Sequence, residues 1–284
     1  MNKIVIKLKQ HFKVHWRSIL VRIALLMVGF PVSSFGVALY QTTTFGVSQM
    51  DFTIYTIAAL WKGYDQTTGE MLNQVLQNQY LIIFILVLLF MTILSLIFAL
   101  PKTIKSIKKE KNYQPLLMML VTLFSNIIVA VLAYFLMDVF LNDVLPVDFL
   151  KEQLDQKVKN LIFVGAFLIF CFGIALWVHA NIMLGPFNSY CYEFQKLTNK
   201  PYSFARVMMD LVIFAPGLCL WFFLPGDWQS KGNFLITNLG VGTITLTVLT
   251  GPTVNLFLIV LKKTINFSKL DLIKNIQHQE EQVS

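Results

Sequence analysis

Six long stretches of the chain are almost free of charged positions, and charged or turn-forming residues bound each of them: 19–40, 79–100, 115–140, 160–180, 207–224 and 234–261. A helix needs about 20 apolar residues to cross a bilayer core, so each run predicts one transmembrane helix. Two further apolar stretches, 47–61 and 185–198, are shorter and more polar. At about 14 residues they fall below the roughly 17 that a span requires, and they predict re-entrant or half-length helices. The expected fold is an all-α integral membrane protein with six transmembrane helices and two short ones.

The pattern also repeats. "FGVAL" at 35–39 returns as "FGIAL" at 172–176, and a two-residue gap brings Phe45-Gly46 beside Leu184-Gly185. Behind each copy come a short helix, a Thr-containing turn ("QTTGEM" at 66–71, "KLTNKPY" at 196–202) and two long apolar runs. Each half therefore crosses three times, an odd number, so the second copy enters the membrane upside down. This is the arrangement of inverted-repeat transporters. It divides the chain into a basic amphipathic segment at 1–18, a first repeat at 19–140, an extracytoplasmic connector at 141–159, a second repeat at 160–262 and a cytoplasmic tail at 263–284.

Charge fixes the expected orientation. Lys and Arg number five in 1–18, five in 101–114, three in 181–206 and four in 262–284, against one in 41–78, three in 141–159 and one in 225–233. With the N-terminus inside, 17 lie inside and five outside, as the positive-inside bias requires, and both termini are cytoplasmic. An eight-span arrangement gives similar totals but strands Lys102, Lys105, Lys108, Lys109 and Lys111 together outside. Six spans are therefore preferred.

Composition changes the picture only by exclusion. A chain that is 56% hydrophobic and 13% charged, with mean hydropathy +0.65, does not fold as a soluble domain. The net charge of +8 sits beside apolar runs, so its expected partner is a bilayer with anionic headgroups and not nucleic acid. In "MNKIVIKLKQHFKVHWR" basic and apolar residues interleave as in a surface-lying amphipathic helix. The run after it is too long for a signal-peptide core and is expected to stay as the first helix. Cys171, Cys191 and Cys219 have no metal-ligand spacing and read as small packing residues.

Ionisable groups inside apolar runs cost about 2.5–3.5 kcal/mol at a helix centre, so each one asks for a reason. Asp51 follows Gly46 and Ser48 at the mouth of the first short helix, where it either caps the helix or meets a solute or ion. Asn188 and Glu193 occupy the second short helix, after Gly185-Pro186; Glu193 is either an interfacial carboxylate or a proton or cation site. Arg206 and Asp210, four apart, form either a structural pair or a gate. His179 is either hydrogen-bonded packing or a proton shuttle, and with no His or Cys one turn away it has no metal partner. In the last span Thr243 and Thr247 share one face, which either packs, with the hydroxyls returned to their own backbone, or lines a pathway with Asn255 further on. Gly240, Gly242 and Gly251 permit close packing there, as Gly36 and Gly173 do in the repeated helix. Pro252 is expected to bend or break that span.

The motifs resemble the YitT/YczE family of bacterial multi-pass membrane proteins, with "GxAL…LGVSPWD" after the first helix, a later Gly-Pro, an Arg-x-x-x-acidic pair and "GxGT…GP". Here Gly36, Ala38, Leu39, Gly46, Val47, Ser48 and Asp51 match the first motif, with Gln49-Met50 in place of Pro-Trp. Gly185-Pro186, Arg206 with Asp210, and Gly240, Gly242, Thr243, Gly251 and Pro252 match the rest. The resemblance implies a bacterial cell-membrane location and a comparable helix count, and little about activity.

No catalytic grouping, P-loop, dinucleotide fingerprint, HExxH or CxxC is present, so neither an enzyme nor a cofactor is expected. The expectation is a transporter of a small solute or ion whose site lies between Asp51 and Glu193. The alternative is a non-transporting scaffold of envelope or secretion machinery, acting through the basic 102–111 segment and the C-terminal tail.

Overall fold

A backbone surrounded by lipid has to satisfy its hydrogen bonds within its own segment, so apolar runs without breakers become helices. The computed structural model describes residues 3–43, 45–111, 113–145, 150 and 154–267. Among these residues there is no strand. The helices are α1 (Lys3–Gln41), α2 (Gln49–Lys62), α3 (Asn73–Glu110), α4 (Gln114–Val139), α5 (Gln156–Ala180), α6 (Gly185–Thr198), α7 (Tyr202–Trp221), α8 (Trp228–Asn238) and α9 (Val241–Thr264). A π-helical turn, Phe140–Val144, extends α4. Six helices, α1, α3, α4, α5, α7 and α9, are long and apolar enough to cross a membrane, and the chain is a multi-pass membrane protein. The two short stretches form α2 and α6, each of 14 residues.

Three boundaries differ from expectation. The helical backbone of α1 runs unbroken from Lys3, so the basic segment continues the first span; its side chains before His15 lie outside the described residues. Helix α3 passes through Pro101 to Glu110, placing Lys102, Lys105, Lys108 and Lys109 on its last turns and not in a connector. "KTIKSIKKE" holds no helix breaker, which explains the extension. The run at 234–261 divides at Leu239-Gly240 into α8 and α9, while α9 continues helical through Gly251-Pro252, where a break was expected. Of the expected connector at 141–159, residues 146–149 and 151–153 lie outside the described residues, as do residues 268–284 of the tail.

Helix α8 owes its separate existence to polar fastening. Asp227 caps it, accepting from the Ser230 N–H at 2.8 Å and the Ser230 hydroxyl at 2.6 Å, and these donors hold its carboxyl below the usual range. Asn233 donates to Thr67 O at 2.9 Å, Thr237 to Thr68 O at 2.7 Å and Asn238 to Gly69 O at 3.1 Å. The turn between α2 and α3 is thereby clasped. Within it Asp65 accepts from the Thr67 hydroxyl and backbone N–H, which lower its carboxyl likewise.

The two halves are related by inversion, and the central helix pair demonstrates it. The Arg22 guanidinium donates to Ala180 O at 2.9 Å, Gly29 lies against Leu176 and Trp177, Ser33 against Gly173, and Gly36 against Phe170. Residue numbers rise along α1 as they fall along α5, so these equivalent helices run antiparallel. An offset of 137, which relates Gly36 to Gly173, also turns the Gly36–Phe170 contact into the Gly173–Ser33 contact. The pair is its own image.

The surrounding helices obey the same exchange. Helix α2 packs on α7 as α6 packs on α3; α2 meets α3 as α6 meets α7; α3 meets α4 as α7 meets α9. Exchanging α1 with α5, α2 with α6, α3 with α7 and α4 with α9 leaves these pairings unchanged. Each half-length helix is thus seated on a long helix of the opposite half. Thr53 fixes one such seat, its hydroxyl donating to Ile213 O at 2.6 Å.

Candidate functional site

The site begins where each of α1 and α5 gives way to a short helix. Tyr40 at the end of α1 donates its hydroxyl to Gly46 O at 2.7 Å, and the indole N–H of Trp177 on α5 donates to Met183 O. The offset of 137 maps one bond onto the other with no gap, correcting the two-residue gap expected in the repeat. Gly46 (φ +99) and Gly185 (φ +70) adopt left-handed backbone that turns the chain into α2 and α6, as their glycine identity permits.

Ser48 then caps α2. Its hydroxyl accepts from the Asp51 N–H at 3.1 Å and donates to Asp51 Oδ2 at 2.8 Å, so Asp51 does belong to a capping arrangement. Its carboxylate does more than cap. Asp51 is 2% exposed, receives the Tyr80 hydroxyl on Oδ1 at 2.5 Å and the Gln41 amide on Oδ2 at 3.2 Å, and lines the central cavity. Under the offset its counterpart is Asn188, not Glu193. Asn188 accepts the Tyr202 hydroxyl at 3.1 Å, so each of the two takes a tyrosine hydroxyl from the long helix that follows its short one, although the offset does not relate Tyr80 to Tyr202.

Both short-helix N-termini reach one cavity of about 400 Å³ between the halves, walled by α1 to α7 and α9. Ser48, Asp51, Pro186, Asn188, Arg206 and Asp210 all line it. Arg206 and Asp210 are 7% and 2% exposed, with Nε and Oδ2 3.4 Å apart, too far and too oblique for a good hydrogen bond. This loose contact leaves both atoms free to take a partner. With Asp138 included, three carboxylates face the cavity against one guanidinium.

Other expected contributors lie elsewhere. Glu193 pairs with Lys196 at 2.9 Å on the surface of α6 and does not line the cavity, which corrects the expectation that it completes the site. Five residues turn the helix by about 1.4 turns, a net rotation of about 140°, which carries Glu193 to a different side from Asn188. His179 places Nε2 3.1 Å from Ile265 O and packs on Phe267 at the carboxyl end of α5, and unlike Trp177 two residues before it, it does not line the cavity. Asn255 is half-buried and outside the lining.

Thr243 and Thr247 do not form a lining face either. The Thr243 hydroxyl donates to Val47 O, and the Thr247 hydroxyl returns to Thr243 O at 2.7 Å. With Val47 N to Asn238 O at 3.0 Å and Gly242 N to Phe45 O at 2.8 Å, Thr243 laces the chain before α2 to the chain before α9. A side chain on Gly240 would overlap Phe45 O, and one on Gly251 would meet Ser203 O at 2.6 Å, so these glycines serve close packing. Among the described residues no group of three or more His, Cys, Asp or Glu is placed to hold a metal ion.

Sequence reasoning passed over several participants. Gln41, Tyr80 and Tyr202 gave no motif, yet they hold Asp51 and Asn188; their one visible signal is a polar group at the edge of an apolar run. Asn126 is not one of these, since its place inside an apolar run marks it as a weaker candidate; 1% exposed, it donates to Thr92 at 3.3 Å and accepts from Ser189 at 3.1 Å, tying α4 to α3 and α6. Arg22 sits inside the first apolar run because it caps the carboxyl end of α5.

Compared with known proteins, the chain matches no curated protein and no solved structure. Its residues 20–258 match the model of a family of unknown function, DUF6198, and the chain belongs to that family.

Proposed function

We propose that the protein is a membrane transporter of a small solute or ion, working by alternating access between its two inverted halves. The observation that carries this reading is the cavity itself: half-length helices from opposite repeats begin at it, and it holds a buried carboxylate and a loosely paired Arg206 and Asp210. Many secondary transporters form their binding site from interrupted helices that meet at the interface of inverted repeats. Rocking one half about the glycine-lined α1–α5 contact would open the cavity to each side in turn. The lysine and arginine distribution supports cytoplasmic termini, and the motif resemblance to the YitT/YczE family supports a bacterial cell membrane.

Purified protein in liposomes tests the proposal. Solute-dependent flux is expected from a panel of cations, anions and neutral solutes. Asp51→Asn is expected to abolish it and Glu193→Gln to leave it within about twofold of wild type, since a surface ion pair contributes little. No flux across the panel, or Asp51→Asn transporting as wild type, would contradict the proposal.

A further inference from the structure

The cavity carries a more specific signature than that of a general polar site. Asp51 is surrounded by a tyrosine hydroxyl, a serine hydroxyl and a carboxamide, which supply dipoles but no positive charge. Among the described residues no Lys, Arg or His lies within ion-pair distance of it. The one guanidinium in the lining, Arg206, has Asp210 as its own counter-charge. Among the described residues Asp51 is therefore a buried carboxylate without a side-chain counter-ion, and Asp138, an exposed residue of α4, also lines the cavity.

Next to that carboxylate runs a continuous aromatic strip. Tyr55 meets Tyr80 edge to face at 6.3 Å, Tyr80 stacks on Phe84 at 6.0 Å, and Phe84 meets Tyr134 at 6.4 Å, so the strip crosses from α2 over α3 to α4. All four residues line the cavity, and the Tyr80 hydroxyl bonds to Asp51. Phe167 and Trp177 face it from α5. Aromatic faces beside an unneutralised carboxylate attract a cation through both the ring quadrupoles and the charge, and they shelter an apolar body that a hydrated metal ion lacks.

We propose that the cavity binds a small organic cation, an alkylammonium with a compact apolar body, with Asp51 as its counter-ion and the Tyr55–Tyr80–Phe84–Tyr134 strip as its wall. This rests on the transporter reading for its role but concerns binding alone. The α2 and α6 N-termini are alike in their partial positive charge and do not distinguish the two ends; Arg206, fully charged and on the second-half side, directs the cationic group toward Asp51.

Three probes of nearly the same shape and different charge test it on the full chain in detergent, by calorimetry: choline, its uncharged isostere 3,3-dimethylbutan-1-ol, and the anion 3,3-dimethylbutanoate. Choline is expected to bind about tenfold or more tightly than the alcohol, and the anion not to bind. Asp51→Asn is expected to erase the preference for choline over the alcohol. Because Asp51 also holds the α2 N-terminus, Tyr134→Leu provides a second variant; it leaves the carboxylate in place and is expected to weaken choline severalfold with an unchanged elution profile. Equal affinity for choline and the alcohol, preference for the anion, or no choline binding at millimolar concentration would overturn the assignment. Choline binding without flux in liposomes would sink the transporter reading and leave the cation site standing. Flux of a neutral or anionic solute with no choline binding would do the reverse.

Discussion

Gly36→Leu and Gly173→Leu, made separately, are each expected to stop the protein reaching a monodisperse folded state, whereas Gly165→Leu on the same α5 helix is expected to be neutral. A Cβ at Gly36 would stand 2.5 Å from the backbone N of Phe170, and one at Gly173 would overlap the backbone of Ser33. Neither obstacle is a side-chain end that can swing away; both are main chain of the opposing helix, so relief requires α1 and α5 to separate. Overpacking a core costs about 1–3 kcal/mol even where side chains can adjust, and here the displaced helices carry both ends of the cavity. At Gly165 nothing lies within 4 Å of the added atom. Size-exclusion profiles and thermal unfolding in detergent read the difference, with a loss of about 5 °C or more, or outright aggregation, for the two interface variants. Because the two contacts are images of each other, similar losses are expected from both. A neutral Gly173→Leu would mean that the helix pair is not packed as described.

The second large effect concerns Arg206 and Asp210. Arg206→Met is expected to destabilise the protein by about 3–5 kcal/mol, because it leaves the Asp210 carboxylate buried without its counter-charge. Asp210→Leu strands the guanidinium and should cost about as much. The double variant Arg206→Met/Asp210→Leu is expected to be more stable than either single one, since it removes both desolvated charges together. A double-mutant cycle of thermal stability measures this coupling. Flux separates the two roles of the pair. If the double variant regains stability but not transport, the pair acts at the site; if both return, the pair only orients α7.

Much of this arrangement is legible in the chain. The long apolar runs locate the six membrane helices because lipid leaves a backbone almost no alternative to helix. The 14-residue stretches are recognisable as too short to span, and "FGVAL" with "FGIAL" exposes the duplication. Asp51, Asn188, Arg206 and Asp210 stand out because polar groups are rare inside apolar segments, and the cavity gathers them. The errors share one cause. Sequence records local preference, whereas the misplaced residues answer to distant partners. Glu193 reads from sequence as roughly equivalent to the segment after Asp51; the Tyr40–Gly46 and Trp177–Met183 bonds fix the register at 137 and make Asn188 the counterpart of Asp51. The stripe of Thr243 and Thr247 resembles a pathway until Val47 O accounts for the first hydroxyl. Pro252 is the strongest local breaker in the last run, yet the division before α9 falls at Leu239-Gly240, where backbone from the other half bonds to Asn238 and Gly242.

The central claim is that the cavity between the inverted halves opens to both sides of the membrane. It is tested most directly by thiol accessibility. Cys171, Cys191 and Cys219 are replaced first, and single cysteines are introduced at the lining positions Ser34 and Met209 and at fully buried Ala175 as a control. Membrane-impermeant maleimide is then applied to right-side-out and to inside-out vesicles. The expected result is labelling at Ser34 and Met209 from both orientations, and none at Ala175 from either. Labelling of the lining positions from one side alone, or from neither in correctly folded protein, would contradict alternating access.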